Sequence, residues 1–171
     1  MGTAGGASFA NGTFTVNASG QQIWGTADGF NFVYQQVSGD TIIIARMLGI
    51  QNGATSESTG IMIRETLTAG STNVYATFSG NSLLYDDRPT TGGNTVSQSA
   101  ANSVTLPYWV KIVRSGNTFS GYRSLDGVNW TQIGTSVIVN MAQNVYVGLA
   151  VSSNVGTLAT ATFDNVSTTT P

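Results

Sequence analysis

Phe30, Phe32 and Tyr34 fall on alternate positions of one short run, with Asn31 and Gln35 on the other parity. A strand through them is therefore expected to turn an aromatic face inward and a polar face outward. Phe14 and Val16 repeat the alternation. Residues 41–44 (Thr-Ile-Ile-Ile) and 108–113 (Tyr-Trp-Val-Lys-Ile-Val) are apolar on both parities, as central strands covered on both sides would be. Breakers separate these runs about every eight to twelve residues, the spacing of an all-β sandwich. The pattern predicts eleven strands, at 12–16, 30–37, 41–50, 59–66, 73–79, 82–88, 108–114, 118–124, 131–133, 145–152 and 158–167, and no substantial helix.

Eleven strands are too many for one sheet in a domain of this size, so two antiparallel sheets stacked about 10 Å apart are expected. Ser38-Gly39-Asp40, Ser115-Gly116-Asn117 and Leu125-Asp126-Gly127 supply the turn chemistry of tight hairpins, which makes 108–114 and 118–124 one hairpin. Residues 87–104 hold Pro89, Gly92, Gly93 and Asn94 with little apolar material and read as the longest exposed loop. One sandwich domain is expected over 9–167. Residues 1–8 carry neither a basic segment nor an apolar run and read as a linker rather than a signal peptide, and 168–171 read as the start of a Thr/Pro linker toward a neighbouring domain.

Composition narrows the chemistry. Charged residues are only 8% of the 171, net charge is −2, and histidine and cysteine are both absent. Ser-His-Asp and Cys-His catalysis, thiolate or imidazole metal sites and disulfides are thereby excluded. Six scattered basic residues do not make a phosphate-binding surface, so nucleic acid is not an expected partner. No run approaches the roughly 20 apolar residues of a membrane-spanning helix.

Several segments then read together: Ile23-Trp24-Gly25-Thr26-Ala27-Asp28-Gly29-Phe30, Gly60-Ile61-Met62-Ile63-Arg64-Glu65, Tyr108-Trp109-Val110-Lys111, Ser124-Leu125-Asp126-Gly127-Val128-Asn129-Trp130 and Phe163-Asp164-Asn165-Val166. In this order, over residues 14–167, the chain resembles the DUF1349 domains, concanavalin A-like jelly-roll sandwiches similar to laminin-G domains. The resemblance implies an accessory module of a secreted or cell-surface bacterial protein, without agreed catalytic residues. Such modules join other domains of a parent chain, and an oligo- or polysaccharide is the implied partner. Where members commonly carry Lys-Ala-Gly this chain has Ser58-Thr59-Gly60, and Asn31 and Asn154 stand where histidine is frequent.

Sandwich glucanases of similar fold carry a Glu-x-Asp-x-Glu cluster on one strand face. This chain has only Glu57 and Glu65, neither with an Asp two residues away, and the adjacent Asp86 and Asp87 should face opposite ways. An enzyme is not expected, and no cofactor is required. Calcium is the one metal the composition permits, as a structural ion drawing on Asp28, Asp40, Asp86, Asp87 or Asp164 singly. Arg64 is read first as the partner of a carboxylate such as Asp28 or Asp164, with a sugar-binding arginine as the alternative. Trp24, Trp109 and Trp130 are assigned to core packing. The candidate ligand site is Arg64, Tyr75, Tyr85, Asp87 and Arg88, bordered by Gly92-Gly93, with the tyrosines stacking on a sugar ring. A structural or self-assembling surface domain is the competing expectation, because low charge leaves strand edges little repulsion.

Overall fold

The computed structural model describes residues 5–53 and 57–170. All regular structure among them is strand. A seven-stranded antiparallel sheet runs in the order β1 (Gly6–Ala10), β2 (Thr13–Ala18), β15 (Ala159–Thr169), β6 (Thr41–Gln51), β11 (Tyr108–Ser115), β12 (Thr118–Ser124), β13 (Thr131–Ile138). A six-stranded sheet runs β10 (Val96–Ala101), β9 (Ser82–Arg88), β8 (Asn73–Ser79), β7 (Ser58–Arg64), β14 (Asn144–Ser152), β5 (Asn31–Ser38). A short hairpin, β3 (Gln22–Trp24) with β4 (Ala27–Gly29), stands apart from both. The expected two-sheet sandwich is the observed fold.

The main core lies between the large sheets. Ile43, Ala45 and Met47 of β6 and Val110 and Ile112 of β11 meet Ile61, Ile63, Val74, Ala76 and Leu149 from the other side, all at most 1% exposed. Alternation on the long strands selects these residues, and each fully buried aliphatic contributes about 1.5–3 kcal/mol. Two of the three expected hairpins are present, β11 with β12 and β12 with β13, whereas Ser38-Gly39-Asp40 joins β5 to β6 in the opposite sheet and makes no hairpin. Gly39 and Gly116 adopt the positive φ, 81° and 58°, that tight reversals require.

Four elements go beyond the sequence expectation. β1, β3, β4 and β10 are short or lack apolar alternation, and β1 is exposed along its whole length, so backbone pairing with a neighbour rather than burial defines it. β10 takes up 96–101 of the expected long loop and pairs with β9, which shortens that loop to 89–95. Strand structure also enters both segments read as linkers, from Gly6 in β1 and through Thr169 in β15.

The aromatic parity of β5 is turned the opposite way from expectation. Val33 and Val37 pack on the inter-sheet core, whereas Phe30 and Phe32 join a second cluster with Ile23, Met62, Tyr75 and Ala150 on the outer face of the six-stranded sheet. The β3–β4 hairpin lies over this face and makes it a second interior.

Candidate functional site

Register builds the site. Asp86 pairs with Tyr75, Tyr75 with Met62, Met62 with Gly148 and Gly148 with Tyr34, so these five form one cross-strand row facing away from the main core. Ile23 of the hairpin covers the middle of the row. The row ends in the open at Tyr34 on the edge strand β5, and at its other end Asp86 is followed by Ser97 of β10.

A buried ion cluster pins the hairpin. Arg88 donates to both oxygens of Asp28, Nη1 to Oδ2 at 2.7 Å and Nη2 to Oδ1 at 2.5 Å, and Arg64 Nη1 reaches Oδ2 at 3.4 Å. All three side chains are at most 1% exposed. Two guanidiniums share one carboxylate, and backbone carbonyls take the remaining donors: Thr66 and Thr68 for Arg64, Gly25 for Arg88. Burial pulls the Arg64 pKa down, with Asp28 opposing and Arg88 adding to the fall. The Arg64–Asp28 pairing expected from sequence is present; Asp164 is taken by Arg46 instead. Ser152 Oγ donates to Gly29 O at 3.1 Å and holds the other end of the hairpin.

Between the hairpin and strands β7, β8 and β9 lies a cavity of about 160 Å³ lined by Trp24, Gln22, Ser58, Thr77, Ser79 and Asp86 among others. Trp24 is 45% exposed and Asp86 only 4%. Ser97 of β10 donates a hydrogen bond to the Asp86 carboxyl. Burial raises the Asp86 pKa to about 7; the Ser97 bond opposes this rise and the neighbouring charge of Asp87 adds to it. Trp24, Gln22, three hydroxyl-bearing residues and the Asp86 carboxyl thus border one small recess.

At the other end of the row an aromatic ladder runs along β5. Phe30 and Phe32 are 5.6 Å apart between ring centroids, Phe32 and Tyr34 stack at 5.2 Å, and Tyr146 meets Tyr34 edge-on at 5.3 Å. Tyr34 is 48% exposed.

The five residues expected at the ligand site are divided between the two faces, and all are buried. Arg64 and Arg88 are spent on Asp28. Tyr75 is 0% exposed beneath the hairpin, its hydroxyl donating to Ala150 O at 3.0 Å. Tyr85 and Asp87 do share a parity, but it faces the main core. There the Tyr85 ring packs so closely on Gly121 of the opposite sheet that a Cβ at Gly121 would lie 2.6 Å from it. None of the five offers a stacking surface to solvent. Gly92 N donates to Gly70 O, so the 89–95 loop braces the hairpin region. The tryptophans depart from the core assignment too: Trp24 is exposed, and Trp109 and Trp130 are half-buried on the outer face of the seven-stranded sheet.

The residues that line the cavity were missed for a physical reason. Leu83 pairs with Phe78 across the β8–β9 turn, and both are core; counting parity from that pair places Asp86, not Asp87, on the outer face. Asp86 and Asp87 do face opposite ways, as expected. The five aspartates considered for calcium are dispersed: Asp28 and Asp164 are ion-paired, Asp40 accepts from Gly116 N at 2.7 Å, and Asp86 from Ser97. Among the described residues no group of three or more acidic side chains is placed to hold a metal ion.

The fold defines a class, the concanavalin A-like jelly-roll sandwiches, and solved structures bear it out. The chain is similar to a functionally unknown protein from Saccharomyces cerevisiae, at 15% identity and TM-score 0.78 over 97% of this chain and 92% of that one. It is similar to the carbohydrate-binding module CBM66 from Bacillus subtilis, at 15% identity and TM-score 0.66 over 96% and 91%. It is also similar to the alginate lyase from a Corynebacterium species, at 12% identity and TM-score 0.63 over 100% and 83%. At these identities the likeness is one of fold. No protein-family model matches the sequence, and no curated protein matches it.

Proposed function

We propose that this chain is a non-catalytic carbohydrate-binding module, an extracellular accessory domain of the kind its DUF1349-like motifs imply, and that it seats a sugar ring in the cavity beside Trp24. One observation carries the reading: a half-exposed tryptophan and a nearly buried aspartate border the same recess among hydroxyl-bearing residues. A pyranose has an apolar C–H face that stacks on indole and hydroxyls that bond to carboxyl, amide and serine. The likeness to a carbohydrate-binding module supports it. The likeness to an alginate lyase is one of fold alone; hydrolysis of a glycoside, by contrast, uses a carboxylate pair. Among the described residues Asp86 is the one carboxylate lining this cavity.

Titration calorimetry against a panel of oligosaccharides tests the proposal. Trp24→Ala should weaken the best ligand by about 1–2 kcal/mol, roughly five- to thirtyfold, while circular dichroism stays that of the parent. Undiminished affinity in Trp24→Ala would place the ligand elsewhere.

A second reading rests on β5. It is an eight-residue edge strand without Lys, Arg or Pro, and its outer face carries the half-exposed Tyr34. Such an edge is open to pairing with another copy. Light scattering separates the readings: concentration-dependent oligomers with no response to any glycan favour self-assembly.

A further inference from the structure

We propose that the cavity beside Trp24 selects uncharged sugars and rejects uronates, an inference that deepens the glycan-binding reading and rests on it. The argument is an account of every basic side chain. The sequence has six Lys and Arg residues, and all lie within the described residues. Arg88 shares the outer face of β9 with Asp86, but its nitrogens are held by Asp28, Gly25 O and the Thr95 hydroxyl. Arg64 is held by Asp28 and the carbonyls of Thr66 and Thr68. Arg46 pairs with Asp164, and Lys111 lies over Tyr122 and Trp130, both on the other sheet. Arg114 donates to four loop carbonyls, and Arg123 borders a separate cleft beside Asp126. Among the described residues no cation lines the cavity, so an anionic sugar entering it meets Asp86 without a counter-charge.

A neutral sugar is suited to both forms of that carboxyl. Ionised, Asp86 accepts from sugar hydroxyls; protonated, it also donates to a ring or hydroxyl oxygen. A uronate is tolerated only beside the protonated form, because two carboxylates at close range cannot both ionise cheaply. Discrimination should therefore sharpen as pH rises through the Asp86 titration. The charged and titratable neighbours are Asp87 and Arg88 on its own strand and Tyr75 from β8; the remaining polar ones, Ser97 from β10 and Gln22, Trp24, Ser58, Thr77, Ser79 and Asn154 around the cavity, are uncharged.

The test compares neutral oligosaccharides with uronic acid oligomers of matched length, using the parent chain, Asp86→Asn and Trp24→Ala, at about pH 5 and about pH 8. The parent should bind the neutral series at least tenfold more tightly at the higher pH, the preference should shrink at the lower, and Asp86→Asn should bring it to about threefold or less at both. Uronates binding the parent as tightly as neutral sugars at about pH 8, or a preference unchanged in Asp86→Asn, overturns the selectivity. If that uronate binding disappears in Trp24→Ala, the site stands and only its selectivity falls. If neither series binds the folded parent, the glycan-binding reading fails, and the selectivity with it.

Discussion

The outer faces of the two sheets differ in which aromatic rings their cations cover. On the seven-stranded sheet the cations roof the aromatics: Arg46 lies 5.6 Å from the Trp109 ring, and Lys111 lies 4.3 Å from Trp130 and 4.7 Å from Tyr122. On the six-stranded sheet the two arginines are drawn down into the Asp28 cluster, where Arg64 lies 4.9 Å from the Phe30 ring. Among the described residues no cation covers Trp24 or Tyr34, which are half exposed. A ring already covered by a cation is a poor stacking surface; an uncovered one beside hydrogen-bonding groups is a good one. The hairpin makes this difference. It carries Asp28, and so converts surface arginines into buried structure.

The ion pairs should separate the faces most strongly. Asp28→Ala leaves two buried guanidiniums without their carboxylate and should cost about 3–5 kcal/mol in urea denaturation. Asp164→Ala removes the partner of Arg46, whose side chain is 34% exposed, and should cost at most about 1 kcal/mol. Equal losses would mean that the hairpin cluster is no more structural than a surface pair.

The carboxyls of the two faces should also respond to pH with opposite sign. Burial raises Asp86 to about 7, so between its ordinary range near 3.8 and about 7 the folded chain binds more protons than the unfolded one. Its contribution is fully present at the acid end of that window and is lost as pH rises through it. Burial also raises Glu57 and Asp87, which act in the same direction. Asp164 is lowered, first by its hydrogen bond from Arg46, and its contribution is instead lost as pH falls below the ordinary carboxylate range. Stability should therefore decline from about pH 5 to about pH 8 by on the order of 1–3 kcal/mol, and Asp86→Asn should remove most of the slope. A flat profile in the parent chain would show that Asp86 is solvated.

Most of the sandwich was legible because long strands reveal the parity that faces the core: Ile43, Ala45 and Met47 on β6 could face nowhere else. The site was less legible for a related reason. A sheet covered on both sides is apolar on both parities, and three-residue strands such as Gln22–Trp24 carry too little pattern to announce that they will cover a face. Tyr75 is out of phase with Val74 and Ala76, yet its face is closed by Ile23. Trp24 was assigned to the core by residue type, although alternation within its own strand sets it opposite the buried Ile23. The Arg64–Asp28 pair was within reach because a buried arginine needs a carboxylate and few were on offer.

The smallest expected effect concerns the cation roof. Lys111 covers Trp130 and Tyr122 at a half-exposed position, and burial lowers its pKa. Cation–π contacts at exposed sites contribute about 0.5–1 kcal/mol, so Lys111→Ala should lower stability by about that amount in urea denaturation. Lys111→Met separates charge from coverage: its thioether chain still shades the rings but carries no charge, so it should recover part of the loss. Full recovery in Lys111→Met would make the lysine a hydrophobic cover alone, and the contrast between the faces would then be one of packing rather than of charge.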